Sequence, residues 1–367
     1  MLLAAPPHPT EIGQAEIRVL VCDDSAVMRA AIARALDGDP AVRVVARAAN
    51  GALAIEAVKR QPIDVVVLDI EMPVMDGLTA LPLLLEASPA LRVIMASTLT
   101  TRGAEVTLRA LRLGAADYVA KPSAIAGQTN TAFRLDLLGK VKALARRHRA
   151  LGPAAPEGAG GRRELPSLRP RPLSVPRLLA VGSSTGGPQA LFALMAGLGG
   201  AMPVPIVVTQ HMPAAFTPIL AEHMSRAGEL PCAEVTEGEE LVPGRVYLAP
   251  GDRHLLIERK AEGAHVRLSD APPVNFCRPS VDPMLGSAAD AFDGQVLVAM
   301  LTGMGHDGLA GTRSVIAAGG TAVAQDEASS IVWGMPGAVA RAGLCHAVLP
   351  LAEIAPFLLD LLGVVRA

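Results

Sequence analysis

The sequence predicts an α/β protein: two doubly wound parallel-sheet domains joined by a Pro/Gly/Arg-rich linker. Three observations support this. Short β-branched runs alternate with stretches long enough for helices, once over residues 17–150 and again from Leu178 onward. The runs are continuously apolar rather than alternating, as in strands covered by helices on both faces. Between the two alternations, Gly152 to Pro176 is rich in Pro, Gly and Arg and has no apolar period. A chain of 367 residues has room for two or three domains.

In the first half, strands are expected at Arg18–Cys22, Val42–Arg47, Ile63–Leu68, Arg92–Ala96 and Ala116–Val119. Helices are expected at Ser25–Leu36, Gly51–Arg60, Gly77–Ala87 and Ala104–Leu113. Phe133, Leu137, Val141 and Leu144 fall on one stripe and predict a closing helix. In the second half, strands are expected at Leu178–Val181, Val204–Thr209, Val246–Leu248, Val296–Leu301, Ala322–Ala324 and His346–Leu349. The helices there are Pro188–Ala196, Ala214–Ala227, Gly308–Ala318 and Glu353–Leu362. The expected division is 17–140, a linker over 141–175, and 176–367.

Composition narrows the function classes. Apolar residues make up 51% and aromatics only 2%, so the cores must be aliphatic. A net charge of −2 gives no electrostatic reason to expect a nucleic acid partner. Cys22, Cys232, Cys277 and Cys345 are far apart and read as reduced thiols of a cytoplasmic protein. The N-terminus lacks the basic and apolar regions of a signal peptide. Leu178 to Ala221 has no charged residue, but Gly and Pro interrupt it repeatedly, so it reads as buried strand, turn and helix rather than a membrane span. From Lys140 to Arg177 there are ten Lys/Arg and two Glu, an excess of eight positive charges (10 − 2). That reads first as a solvated tether, and second as an arm for an acidic partner.

Two constellations carry chemistry. The first expected strand closes into Asp23-Asp24 and the third into Asp69. Strand ends of a doubly wound sheet converge on one crevice, where three carboxylates repel one another unless a cation sits among them. A hard ion with oxygen ligands, such as Mg²⁺, suits that set. Ser97 ends the fourth strand, and Lys121-Pro122 follows the fifth, where a cis bond would aim the ammonium inward. Metal, hydroxyl and ammonium are what a phosphoryl group held on a carboxylate needs.

V-L-V-C-D-D-S, V-V-L-D-I-E-M-P-V-M-D-G and D-Y-V-A-K-P resemble the response-regulator receiver family along its whole length. The resemblance implies a flavodoxin-like receiver in which Asp69 is the phospho-acceptor. Asp24, Asp69 and the backbone carbonyl of Glu71 would bind Mg²⁺, with Asp23 in support. Ser97 and Lys121 would contact the phosphoryl oxygens, and Tyr118 would be the switching aromatic.

The second constellation begins at Gly182-Ser183-Ser184-Thr185-Gly186-Gly187, which fits G-x-S-x-G with Ser184 central. Glycines let the backbone turn sharply and leave the hydroxyl at a helix N-terminus, where amides and the dipole favour developing negative charge. A helix-capping turn or a phosphate cradle has the same local pattern. A serine needs a base, and His211 ends the next buried strand, whereas His254 and His306 are loop histidines. Asp307 follows the strand Val296–Leu301, so three strand ends supply hydroxyl, imidazole and carboxylate. The order Ser, His, Asp differs from the Ser, Asp, His of typical α/β-hydrolases.

G-S-S-T-G-G, Q-H-M-P-A-A-F-T, Y-L-A-P-G-D-R-H, C-R-P-S-V-D and L-T-G-M-G-H-D-G resemble the catalytic domain of chemotaxis protein-glutamate methylesterases over about Leu178 to Leu349. The resemblance implies an α/β serine hydrolase with Ser184 as nucleophile, His211 as base and Asp307 as its partner. The Met304 backbone would contribute to the oxyanion hole, and no cofactor would be needed for hydrolysis. Arg278, Pro279, Ser280 and Asp282 are expected to shape the cleft. The implied substrates are glutamate methyl esters and certain glutamines of methyl-accepting chemoreceptors. The implied partner is a chemotaxis histidine kinase, with only peripheral association to membrane receptor arrays. Two readings compete with this one: a non-enzymatic response regulator, and a serine hydrolase acting on another ester or amide.

Overall fold

Ser25, Asn50, Asp76 and Thr100 each accept a hydrogen bond from the backbone amide three residues on, and each starts a helix. The structure, a computed structural model, describes residues 16–121, 129–150, 167–170, 175–200 and 202–364. The first half contains β1 (Ile17–Cys22), α1 (Ala26–Leu36), β2 (Val42–Ala48), α2 (Gly51–Arg60) and β3 (Val65–Asp69). These are followed by α3 (Gly77–Ala87), β4 (Arg92–Ser97), α4 (Thr101–Arg112), β5 (Asp117–Ala120) and α5 (Thr129–Ala150). The strands form one parallel sheet in the order β2-β1-β3-β4-β5, so Cys22, Asp69 and Ser97 end side by side at one edge. The expected stripe of α5 is buried: Phe133, Leu137, Val141 and Leu144 pack with Val19, Val67 and Ile94.

The second half contains β6 (Leu178–Ser183), α6 (Gly187–Leu198), β7 (Ile206–Gln210), α7 (Thr217–Gly228), β8 (Cys232–Glu234) and β9 (Val246–Leu248). Next come β10 (His254–Arg259), β11 (Ala264–Ser269), α8 (Val281–Ala291), β12 (Val296–Met300) and α9 (Leu309–Ala317). The chain closes with β13 (Thr321–Gln325), α10 (Met335–Arg341), β14 (Ala347–Leu349) and α11 (Leu351–Leu361). Seven parallel strands stand in the order β14-β13-β12-β6-β7-β9-β8, and β10 and β11 form a separate antiparallel hairpin.

Both halves are α/β with parallel sheets, as the patterning predicts. The expected helix from Ala214 begins only at Thr217, because Pro213 closes a turn onto the Phe216 amide (2.9 Å) and Pro218 stands in the first helical turn. The hairpin, β8, α8 and α10 are additions that the sequence pattern does not reveal. Helix α5 continues past the expected boundary at residue 140. Most of the expected linker and the Lys121–Pro122 bond lie outside the described residues. Of the linker, Arg169 is docked: its amide bonds the Cys345 carbonyl at 2.9 Å. Among the described residues no helix is long and apolar enough to cross a membrane.

The halves meet along β5, α4 and α5 of the first and α6 and α7 of the second. Tyr118 stacks on Phe216 with centroids 4.8 Å apart, and both belong to one buried cluster spanning the two halves. Gln189 Nε2 donates to the Ala115 carbonyl at 2.6 Å, and the Arg112 guanidinium lies 4.7 Å over the Phe192 ring.

Candidate active site and phosphoryl pocket

At the edge of the first sheet, Asp23, Asp24 and Asp69 offer carboxylate oxygens all within 4.8 Å of one another. Lys121 reaches in from beyond β5, 2.6 Å from Asp69 Oδ1 and 2.9 Å from Asp23 Oδ2. The buried Asp23 Oδ2 makes no hydrogen bond beside that ion contact. Burial pushes the Asp69 carboxyl up, Lys121 pulls it down and Asp23 pushes it up again, and the balance lies above the ordinary value. Three crowded carboxylates with a buried oxygen left to one ammonium are a donor set that fits a hard divalent cation. Asp24, Asp69, Ser97, Thr98, Thr100 and Lys121 line a cleft of about 510 Å³. Ser97 is buried, donating to the Gly103 carbonyl (3.2 Å) and accepting from Thr107 (2.7 Å). The Glu71 carboxylate is turned outward to Arg102, 3.5 Å away.

At the edge of the second sheet, β6 lies between β7 and β12. Register pairs Ser183 with Gln210 and Gly182 with Met300, so Ser184 and His211 leave their strands side by side. The backbone locks this arrangement: the His211 amide bonds the Ser183 carbonyl (3.2 Å), and the Ser184 amide bonds the Thr302 carbonyl (3.0 Å). Gln210 Nε2 donates to the carbonyls of both Ser184 and His211, and its Oε1 accepts from the Ser183 hydroxyl. The turn needs its glycines. Gly186 has φ +74, and a Cβ at Gly303 would sit 2.9 Å from the Cβ of Ser184 and 2.4 Å from Met335 Sδ.

His211 Nε2 is 2.7 Å from Asp307 Oδ2, so the sequence-predicted base and acid are in contact. Asp307 also receives the Ser280 hydroxyl (2.7 Å), the amides of Val281 (2.7 Å) and Asp282 (3.3 Å), and Asn275 Nδ2 (2.8 Å). Those amides are the first of α8, so Asp307 caps that helix from outside and sits at the positive end of its dipole. Burial alone would raise its carboxyl, but the bonds from His211, Val281 and Ser280 hold it well below the usual carboxylate range. Burial alone would likewise lower His211, but hydrogen bonds to Asp307 and Cys277 raise it to about 9. The two shifts belong to one interaction, a carboxylate stabilising an imidazolium.

Ser184 is half-buried, and among the described residues its hydroxyl has no hydrogen-bond partner. The Met304 amide is unpaired in the same sense, while its neighbour Gly303 N bonds the Val332 carbonyl (3.0 Å). The first half overhangs this loop: a Cβ at Gly139 would lie 3.0 Å from Met304 Cε. Thr185, next to Ser184, lies beside the buried Asp117 of β5 and helps to offset the upward push of burial on that carboxyl.

The other sequence candidates fall in defined places. His254 is buried and structural, accepting from the Ser280 amide and donating to the Pro272 carbonyl, both at 3.2 Å. His306 is exposed. Ser280 and Asp282 of the expected cleft group contact Asp307, whereas Arg278 bonds the carbonyls of Asp270 and Ala271. Sequence reasoning missed Asn275 and gave Cys277 no role beyond a reduced thiol, because their contacts depend on a loop with no periodic signal.

A phosphorylatable-type receiver joined to an α/β hydrolase with a Ser/His/Asp constellation is the class that this fold and these residues define. Comparison with known proteins agrees. Residues 19–130 match the response regulator receiver domain and residues 179–358 match CheB methylesterase. A protein-glutamate methylesterase/protein-glutamine glutaminase of group 2 operon from Rhodospirillum centenum is 52% identical, covering 94% of both chains. A protein-glutamate methylesterase/protein-glutamine glutaminase from Azospirillum brasilense is 52% identical over 96% of this chain and 94% of its own. The CheB methylesterase catalytic domain of Thermotoga maritima superposes with TM-score 0.50 at 39% identity, over 51% of this chain and all of that one. The chain belongs to the CheB methylesterase family. It is a hydrolase with an N-terminal receiver domain.

Proposed function

We propose that this chain hydrolyses glutamate γ-methyl esters of chemoreceptors and deamidates receptor glutamines, under the control of phosphorylation at Asp69. The observation that carries the reading is the convergence of Ser184, His211 and Asp307 at one sheet edge, with His211 and Asp307 2.7 Å apart. His211 takes the Ser184 proton as Oγ attacks the γ-carbonyl. Asp307 stabilises the imidazolium that forms. The free Met304 amide and backbone amides near Ser184 receive the oxyanion. The imidazolium then gives its proton to departing methanol, or to ammonia from a carboxamide. Water, deprotonated by His211, hydrolyses the acyl-enzyme to glutamate and restores Ser184.

The domains are a receiver over 17–140 extended by the rest of α5, a linker from there to 175 and a catalytic domain over 176–367. In the receiver, Asp24, Asp69 and the Glu71 backbone carbonyl would hold Mg²⁺, with Asp23 in support. The bound ion would neutralise charge on the phosphoryl oxygens. Lys121 and Ser97 take the remaining oxygens, and Ser97 must give up its bond to Gly103 to do so. A chemotaxis histidine kinase supplies the phosphoryl group, and hydrolysis itself uses no cofactor. The protein is cytoplasmic and meets membrane receptor arrays only peripherally.

Contacts of Tyr118, Asp117 and Gly139 with Phe216, Thr185 and Met304 support a receiver that covers the catalytic cleft until phosphorylation weakens the interface. The test is methanol release from membranes carrying radiolabelled methylated receptors, with and without a small phosphodonor. Release that depends on Ser184 and rises with phosphodonor supports the reading. Release that survives Ser184→Ala ends it.

A further inference from the structure

We propose that Cys277 is a positioning residue of the hydrolase: its thiol occupies the only ring nitrogen of His211 able to take the Ser184 proton, so nucleophile and thiol compete for one base. The inference rests on His211 being the base, as read above.

The geometry leaves one nitrogen free. Nε2 is committed to Asp307 at 2.7 Å, and four further donors pin that carboxylate in place. Proton transfer from Ser184 must therefore go to Nδ1. Cys277 Sγ already sits 3.4 Å from Nδ1, whereas the Ser184 hydroxyl has no hydrogen bond among the described residues. A thiol reaches hydrogen-bond contact at that distance because sulfur is large.

The thiol is held there by construction. Val274 and Cys277 exchange backbone hydrogen bonds (3.1 and 2.9 Å) across a tight turn, with Asn275 and Phe276 at φ +52 and +64. Asn275 Nδ2 ties that turn to both Asp307 and Asp282 at 2.8 Å. The turn thus straps the catalytic acid and base together, while the Phe276 side chain stands fully in solvent.

When the thiol proton moves to Nδ1, a thiolate–imidazolium pair forms and the base is filled. Ser184 then has no acceptor. The titrating groups around the ring are Asp307, Cys277 and, behind Asn275, Asp282. Asp307 stays ionised, and burial pushes Asp282 up. The hydrogen bond to Cys277 adds to that of Asp307 in raising His211 to about 9. Loss of the thiol should therefore free the base at lower pH. The other three thiols, Cys22, Cys232 and Cys345, are each pushed up to about 12 by burial, so they are poor targets for alkylation near neutral pH.

The experiment measures kcat/KM for methanol release by the full chain from pH 6 to 10, for wild type and Cys277→Ala. The rising limb of the variant should move down by about one pH unit, giving roughly tenfold more activity at pH 7 and an unchanged plateau at high pH. A superimposable profile, or a uniform fall at every pH, overturns the inference.

A second measurement covers a variant that folds poorly: the rate at which iodoacetamide alkylates Cys277, read by mass spectrometry on wild type and His211→Gln. The Sγ–C bond forms, iodide leaves, and the thiol proton stays on the imidazole. At least tenfold slower alkylation in His211→Gln supports a shared proton, and equal rates refute it. Ser184→Ala separates the two levels of the reading. If that variant keeps activity, the hydrolase reading itself fails. If it is inactive while the Cys277→Ala profile is unmoved, only the thiol inference fails.

Discussion

Asp69 and Asp307 both stand at the carboxyl edge of a parallel sheet, and the same topology gives them opposite electrostatics. Asp69 shares its edge with two further carboxylates inside 4.8 Å, has one ammonium and one backbone amide as partners, and faces an open cleft. Asp307 takes hydrogen bonds from five groups, two of them the first amides of α8. The first carboxyl is pushed up and the second held down. An under-satisfied carboxylate suits a site that must accept a cation and a phosphoryl group. A saturated one suits a group that only orients and never reacts.

That contrast can be broken at its strongest point by Ser184→Ala. Methanol release should fall by about 10⁴-fold or more while the thermal midpoint stays within a few degrees, because the hydroxyl supports no described hydrogen bond. Asp307→Asn comes next. It keeps the shape and removes the charge that favours imidazolium, so kcat should drop by about 10³-fold. An effect under tenfold would mean that Asp307 serves only to cap α8.

The pH dependence is smaller. His211 is raised to about 9, so the neutral base is scarce at pH 7 and its fraction increases as pH rises through that value. Wild-type kcat/KM should climb by at least about tenfold between pH 7 and 9, and a flat profile would contradict the assignment of the base.

Asp69→Asn and removal of Mg²⁺ by EDTA should have the least effect on hydrolysis itself. Each should abolish stimulation by phosphodonor and leave unstimulated methanol release within about twofold, since the three carboxylates lie at the edge of the other sheet. Stimulation that survives both would separate the receiver pocket from control of the esterase.

How much of this was legible differs between the edges. In the receiver pocket Asp23, Asp24, Asp69, Ser97 and Lys121 each lie within two positions of a strand end, and the apolar runs that predict β1, β3, β4 and β5 fix those positions almost to the residue. In the hydrolase, Ser184 and His211 were equally visible, because β6 and β7 are continuous apolar strands that end at polar turns. Asn275 and Cys277 were not. They sit on a turn whose residues have no period, and their partners are 32 and 66 residues away in sequence.

The chain's own pattern determined two parallel sheets, their strand ends and the residue types that those ends carry, because burial on both faces demands continuous apolar strands. Only the tertiary structure decided what surrounds Asp307 and His211. The helix start that caps Asp307 and the turn that sets a thiol on His211 are fixed by long-range hydrogen bonds between loops. Such contacts form only after the sheets have brought the loops together, so no local propensity encodes them.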